Sequence, residues 1–184
     1  MMKISFNKAV FLIIILILIG VLSRLIPHPS NFTAVGAVAL FLGAYLKKRN
    51  LLFLIPIIIM LITDLFLFYI EGQSFPGVVV YISILAYIPI GFFVIKKIKI
   101  INVAAGCLSG STFFFIVTNF FVWLNPGYIN VAKTSSSLSA CYFDGLLFYR
   151  NSICGDITWS AIIFGIYVLS TYPIKKLFLL KVKD

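Results

Sequence analysis

What most constrains this chain is a succession of apolar runs, each about as long as a membrane is thick, separated by short clusters of lysine and arginine. A helix needs about 20 apolar residues to cross the hydrocarbon core of a bilayer. Backbone groups in lipid must pair within the protein, which restricts spanning structures to helices and closed barrels. Runs at 9–25, 31–46, 51–70, 77–95, 100–124 and 151–172 fit helices, the second being short and rich in small residues. The first run is not followed by a small-x-small cleavage pattern, so it reads as a retained helix. The expected fold is an all-α membrane protein with six transmembrane helices in a single domain over 1–184. Pro56 and Pro89 fall inside the third and fourth runs, where proline is expected to kink a helix. Residues 137–149 are aromatic and amphipathic, and read as a segment lying at the membrane surface.

Of the 184 residues, 62% are hydrophobic and 11% charged. Six spans use about 120 residues, so no room is left for a fused soluble ATPase, kinase or nucleic-acid-binding module. The net charge of +10 is carried by the short basic runs between spans, which makes it a topology signal. It does not indicate a nucleic-acid surface. Twelve of the fifteen basic residues (Lys3, Lys8, Lys47, Lys48, Arg49, Lys96, Lys97, Lys99, Lys175, Lys176, Lys181, Lys183) fall on one side of a six-span arrangement. Arg24, Lys133 and Arg150 fall on the other. The positive-inside rule then places both termini in the cytoplasm, and the expected location is the inner (plasma) membrane of a bacterium, multi-pass. Cys107, Cys141 and Cys154 lack metal or redox spacing, and a Cys141–Cys154 disulfide is one reading of the last two.

Polar groups inside a membrane are costly unless paired or facing a cavity, so they are where a site is sought. Counting at 1.5 Å per residue places Asp64, Asn119 and Asp156 about 8–10 Å below the outer edge, on one common level. Arg24, His28, Asn31, Glu71, Asn125, Asp144, Arg150 and Asn151 fall above it, and the cytoplasmic half has few polar side chains besides lysines. The economical explanation is a polar cavity opening outward, walled by aromatics such as Tyr81, Trp123, Tyr142, Tyr149 and Trp159. Each residue also has a purely architectural reading. Arg24 can snorkel to headgroups, Asp64 can pair with Arg150 to fix helix packing, and Asn119 can act as interhelical glue. Asp156 can complement a helix terminus, and His28 can be a rigid turn residue between Pro27 and Pro29. Gly106-x-x-x-Gly110 marks a close helix contact.

The segments Ser23-Arg24-Leu25-Ile26-Pro27-His28-Pro29-Ser30-Asn31-Phe32-Thr33, Val117-Thr118-Asn119-Phe120-Phe121-Val122-Trp123-Leu124 and Tyr149-Arg150-Asn151-Ser152 carry a resemblance that extends over nearly the whole chain. The chain resembles a family of bacterial transport proteins related to the S components of energy-coupling factor vitamin transporters, and is similar to their solitary cobalamin-uptake branch. The resemblance implies an S-component-like bundle whose outward cavity binds a vitamin-like small-molecule solute, with His28, Asp64, Tyr81 and Arg150 facing it. That branch offers a cysteine to cobalt just before the fourth helix, whereas 71–81 contains none, so cobalamin is a candidate only. The Ala-x-x-x-Ala motif by which S components dock on an energising ATPase module is absent from 9–22.

The function expected from these readings is solute uptake without covalent chemistry. The substrate-binding set is His28, Asn31, Asp64, Tyr81, Asn119, Arg150, Asn151 and Asp156, with Arg150 and Asp64 as a charged pair. Membrane lipid is the other expected contact, and neither a metal nor a cofactor is expected. The rival readings are a proton- or ion-coupled carrier using Asp64 and Asp156, a membrane enzyme, and an assembly protein.

Overall fold

The computed structural model describes residues 6–45, 53–125 and 137–171. The helices are α1 (Phe6–Leu25), α2 (Val35–Tyr45), α3 (Leu54–Glu71), α4 (Val78–Leu85), α5 (Tyr87–Val94), α6 (Ile100–Leu124) and α7 (Leu138–Thr171). Because α4 and α5 are two halves of one apolar segment, Val78–Val94, the described residues form six helical segments. Three of them, Leu54–Glu71, Ile100–Leu124 and Leu138–Ser170, are long and apolar enough to cross a membrane. The chain is thus a multi-pass membrane protein, and its outer faces suit lipid. On α1, Phe11, Ile14, Leu18 and Leu22 are exposed at three- and four-residue spacing while Leu16, Gly20 and Ser23 face inward.

The centre of the bundle is α2. Its residues 35–43 are all buried, and it packs against α1, α3, α4, α5, α6 and α7. With 11 residues it is about 16 Å long, half the thickness of a hydrocarbon core. A helix this short can sit inside such a bundle because its N-terminal end is served by protein. At the N-terminal end, the Ala34 N–H donates to Ser23 Oγ at 2.9 Å, and Ser23 donates in turn to the Gly20 carbonyl of α1 at 2.9 Å. Ser23→Ala leaves that buried amide without an acceptor, and we expect a loss of about 1–3 kcal/mol. Thermal unfolding in detergent measures it, with Ser170→Ala, at an exposed serine, as the unaffected control.

Glycines set how closely α2 and α5 approach. A Cβ on Gly43 would lie 1.9 Å from the Ile88 carbonyl oxygen, and one on Gly91 would lie 2.2 Å from that of Leu40. The two helices therefore touch backbone to backbone. The Gly106-x-x-x-Gly110 face makes the expected close contact, with Gly106 against Ile95 and Gly110 against the Tyr87 ring.

Several element boundaries differ from the sequence expectation. The second helix begins at Val35, after a turn in which Asn31 takes φ 67°. Pro56 lies in the first turn of α3, where a missing N–H has no intrahelical role, so it imposes no kink. Pro89 has the larger effect. It offers no N–H to the Leu85 carbonyl, and the helix is interrupted at Ala86. The surface segment expected over 137–149 is instead the start of α7, which runs unbroken for 34 residues. Packing on antiparallel α6 extends it: Phe115 stacks on Tyr149 with centroids 4.6 Å apart, and Gly145 makes room for Asn119. Cys141 and Cys154 are free thiols separated by about 20 Å along this helix, a span no disulfide bridges.

Candidate functional site

The site grows from the connection between α1 and α2. Pro27 and Pro29 supply no amide hydrogens, so the chain leaves the helix. It turns at Phe32, whose N–H donates to the Pro29 carbonyl at 2.9 Å. His28 Nδ1 donates to the same Pro29 carbonyl at 2.8 Å. The connection is pressed onto α7. Asn151 Nδ2 donates to the Ser30 carbonyl at 3.1 Å, and a Cβ on Gly155 would lie 3.0 Å from Phe32 Cα.

Between this connection and the neighbouring helices lies a cavity of about 50 Å³ lined by Asn31, Thr33, Gly36, Ile84, Tyr87, Phe114, Ser152 and Asp156. Its lining is graded. Asn31 is exposed, Thr33, Ile84 and Phe114 are half-buried, and Gly36, Tyr87, Ser152 and Asp156 are buried. Asn31 thus forms the rim and Asp156, 4% exposed, the floor. Tyr87 donates to Asp156 Oδ2 at 2.9 Å and Ser111 donates to it at 2.6 Å. Beneath them Cys107 Sγ donates to the Asp156 carbonyl at 3.4 Å and to Ser160 Oγ at 3.3 Å. Tyr87, Ser111, Cys107 and Ser160 were not singled out by sequence, since single small polar residues and tyrosines are ordinary in membrane helices. The signal that could have found them is the need of a buried carboxylate for donors on facing helices.

A second polar cluster joins α1, α3 and α4. Arg24 Nη2 pairs with Asp64 Oδ1 at 2.5 Å, and Tyr81 donates to Asp64 Oδ2. This corrects the expected Asp64–Arg150 pair. α1 and α3 run parallel and adjacent, with Gly20 against Ile59, and one turn further along the same seam Arg24 meets Asp64. Arg150 is exposed on α7. Asn119 does not share the expected common level with Asp156, because Asp156 lies further along α7 from its start at Leu138; Asn119 Nδ2 donates to the Phe115 carbonyl at 2.8 Å. It lies eight residues, about 12 Å along α6, beyond Ser111 and hence beyond Asp156. Of the predicted site residues, Asn31 and Asp156 line the cavity, and Asn151 holds the connection that forms its rim. Asp64 and Tyr81 form the separate cluster with Arg24, His28 is engaged in its own turn, and Asn119 and Arg150 stand apart.

Below the cavity, aromatic side chains of α2 and α7 pack together. Phe41 of α2 meets Phe164 and Tyr167 of α7 edge-on, with centroids 5.1 and 5.5 Å apart, and Tyr45 meets Tyr167 at 4.6 Å. Aromatic edge contacts of this kind add to plain area burial. The cavity thus reaches exposed Asn31 at one end, and this aromatic packing lies beyond its buried end toward the C-terminus of α2.

A family model described as a family of unknown function (DUF6580) matches residues 4–177. No curated protein and no solved structure matches the chain.

Proposed function

The chain belongs to this family of unknown function, DUF6580, and we propose that it is a membrane transport protein that takes up a small solute through an outward-facing polar site. One observation carries the reading: in a bundle of lipid-facing apolar helices, a small cavity with Asn31, Thr33, Tyr87, Ser152 and Asp156 in its lining runs from exposed Asn31 down to a buried carboxyl group, and aromatic side chains of α2 and α7 pack together further along the bundle. The charge asymmetry of the loops supports cytoplasmic termini and, with them, an outward mouth. The S-component-like resemblance of the sequence favours the same class and a vitamin-like solute. The solute sits at the rim, with Asn31 and Thr33 giving hydrogen bonds and Ile84 and Phe114 apolar walls.

The volume bears on size. Pockets that enclose drug-sized ligands measure about 300–1,000 Å³, so a cobalamin-sized solute would require the rim to widen. A polar head group fits without that change. Delivery inward requires the packing of Phe41, Phe164 and Tyr167 to open, by rocking of the helices or with an energising partner.

The test is mass spectrometry of small molecules that co-purify with the detergent-solubilised protein. We expect a compound retained by the wild type and lost from Phe114→Ala and Asn31→Gly, the latter keeping the positive φ of the turn. Retention of the same compound by both folded variants contradicts the site, and an empty wild type that also binds nothing from a vitamin panel contradicts the function.

A further inference from the structure

We propose that the cavity is a binding site for a monovalent metal cation such as Na⁺, with Asp156 at its floor supplying the charge and Ser152, Thr33 and, at the rim, Asn31 supplying neutral oxygens. The inference goes beyond solute uptake and is tested with no solute present.

The first ground is charge. Asp64 has Arg24, whereas among the described residues Asp156 has no basic partner, only the hydroxyls of Tyr87 and Ser111. Both donate to the same carboxyl oxygen, Oδ2, and a carboxyl group buried among membrane helices without a basic partner holds its charge only when a cation supplies the opposite one.

The second ground is donor chemistry. The polar side chains around the cavity, those of Asn31, Thr33, Tyr87, Ser152 and Asp156, offer oxygen ligands with no thiol or imidazole among them. Carboxylate, carbonyl and hydroxyl oxygens suit hard cations. A single carboxylate matches a single charge, whereas calcium sites draw on several acidic or carbonyl ligands.

The third ground is size and construction. About 50 Å³ exceeds the roughly 10–15 Å³ that one water requires, leaving room for an ion with part of its hydration shell. The walls come from elements distant in sequence. The connection carrying Asn31 and Thr33 is held on α7 by the Asn151 to Ser30 hydrogen bond and by the bare backbone of Gly155. An ion bound there bridges the α1–α2 connection to α7 beside Tyr87 of α5. Occupancy would tighten the rim around a solute, so ion and solute would favour each other's binding.

The experiment is equilibrium binding of radioactive ²²Na⁺ to the purified full-length protein in choline chloride, with thermal unfolding followed in parallel. We expect saturable ²²Na⁺ binding that unlabelled Na⁺ displaces, and a midpoint that rises with Na⁺ relative to choline at equal ionic strength. Asp156→Asn should abolish both effects. Thr33→Val and Ser152→Ala, which leave the carboxylate and its two hydroxyl donors in place, should each weaken Na⁺ affinity severalfold, and they keep the test open if Asp156→Asn fails to fold. Absence of saturable binding to the wild type overturns the proposal, as does binding that persists in Asp156→Asn or is indifferent to both milder variants. An Asp156-dependent response to pH with none to Na⁺ also overturns it, in favour of a protonated carboxyl group. Failure of this test leaves a co-purified solute unaffected, and an empty solute screen leaves ²²Na⁺ binding unaffected, so the two readings fail separately.

Discussion

Replacing Asp64 by alanine should destabilise the protein by about 3–5 kcal/mol, the scale of leaving one member of a buried ion pair without its partner. Arg24 is 16% exposed at its side chain and Asp64 2%, so water does little to compensate the stranded guanidinium. Tyr81 also loses the acceptor of its hydroxyl. Arg24→Ala should cost a similar amount by stranding the carboxylate. The double variant Arg24→Met/Asp64→Leu, which removes both charges and keeps apolar volume, should recover most of the loss, because a desolvated pair is worth little relative to well-packed hydrophobic residues. Thermal unfolding of the four proteins in one detergent measures these differences. Single variants as stable as the wild type would mean that the pair does not join α1 to α3.

A second large effect is expected where two backbones meet. Gly43→Ala places a methyl group within covalent-bond-like range of the Ile88 carbonyl oxygen, and Gly91→Ala does nearly the same at Leu40. The obstacle is backbone rather than a flexible side chain, so relief requires α2 and α5 to separate along their length. Overpacking a core costs about 1–3 kcal/mol and occasionally more, and this site should lie at or above the top of that range. Because α2 also forms the floor of the cavity through Gly36, its displacement should abolish solute retention as well. Gly165→Ala is the control, since nothing lies within 4 Å of its added carbon and alanine is the better helix former. Monodisperse yield and thermal midpoint report the outcome. Gly43→Ala matching Gly165→Ala would contradict the packing described.

Much of the architecture could be read from hydrophobicity alone. The fifth apolar run, 100–124, coincides with α6 (Ile100–Leu124), because no proline or charge interrupts it and the lysines before it and Asn125 after it mark its ends. The last helix was harder. The Ser, Gly and Tyr residues before Arg150 dilute its hydropathy, and what keeps them helical is contact with α6: Tyr142 donates to the Ile116 carbonyl at 2.9 Å, and Thr112 and Tyr149 share a hydrogen bond of 2.8 Å.

The site was legible in kind but not in pairing. Asp64 and Asp156 stand out as carboxylates at membrane depth, and both prove buried and hydrogen-bonded. Which cation meets Asp64 depends on α1 lying parallel to α3, a tertiary fact that spacing along the chain does not contain. Depth counting failed for Asp156 because it took α7 to begin near Arg150, twelve residues after its actual start at Leu138. The architectural reading of His28 as a turn residue agrees with its bond to the neighbouring Pro29 carbonyl.

The central claim is a polar cavity open to the cell exterior, and cysteine accessibility tests it most directly. With Cys107, Cys141 and Cys154 replaced by alanine, Thr33→Cys at the rim and Lys97→Cys at the exposed turn between α5 and α6 are exposed in intact cells to a membrane-impermeant maleimide. The account predicts rapid labelling of Thr33→Cys from outside and labelling of Lys97→Cys only after permeabilisation. The reverse pattern, or a Thr33→Cys that stays unlabelled in intact cells while the folded protein is present, would contradict it.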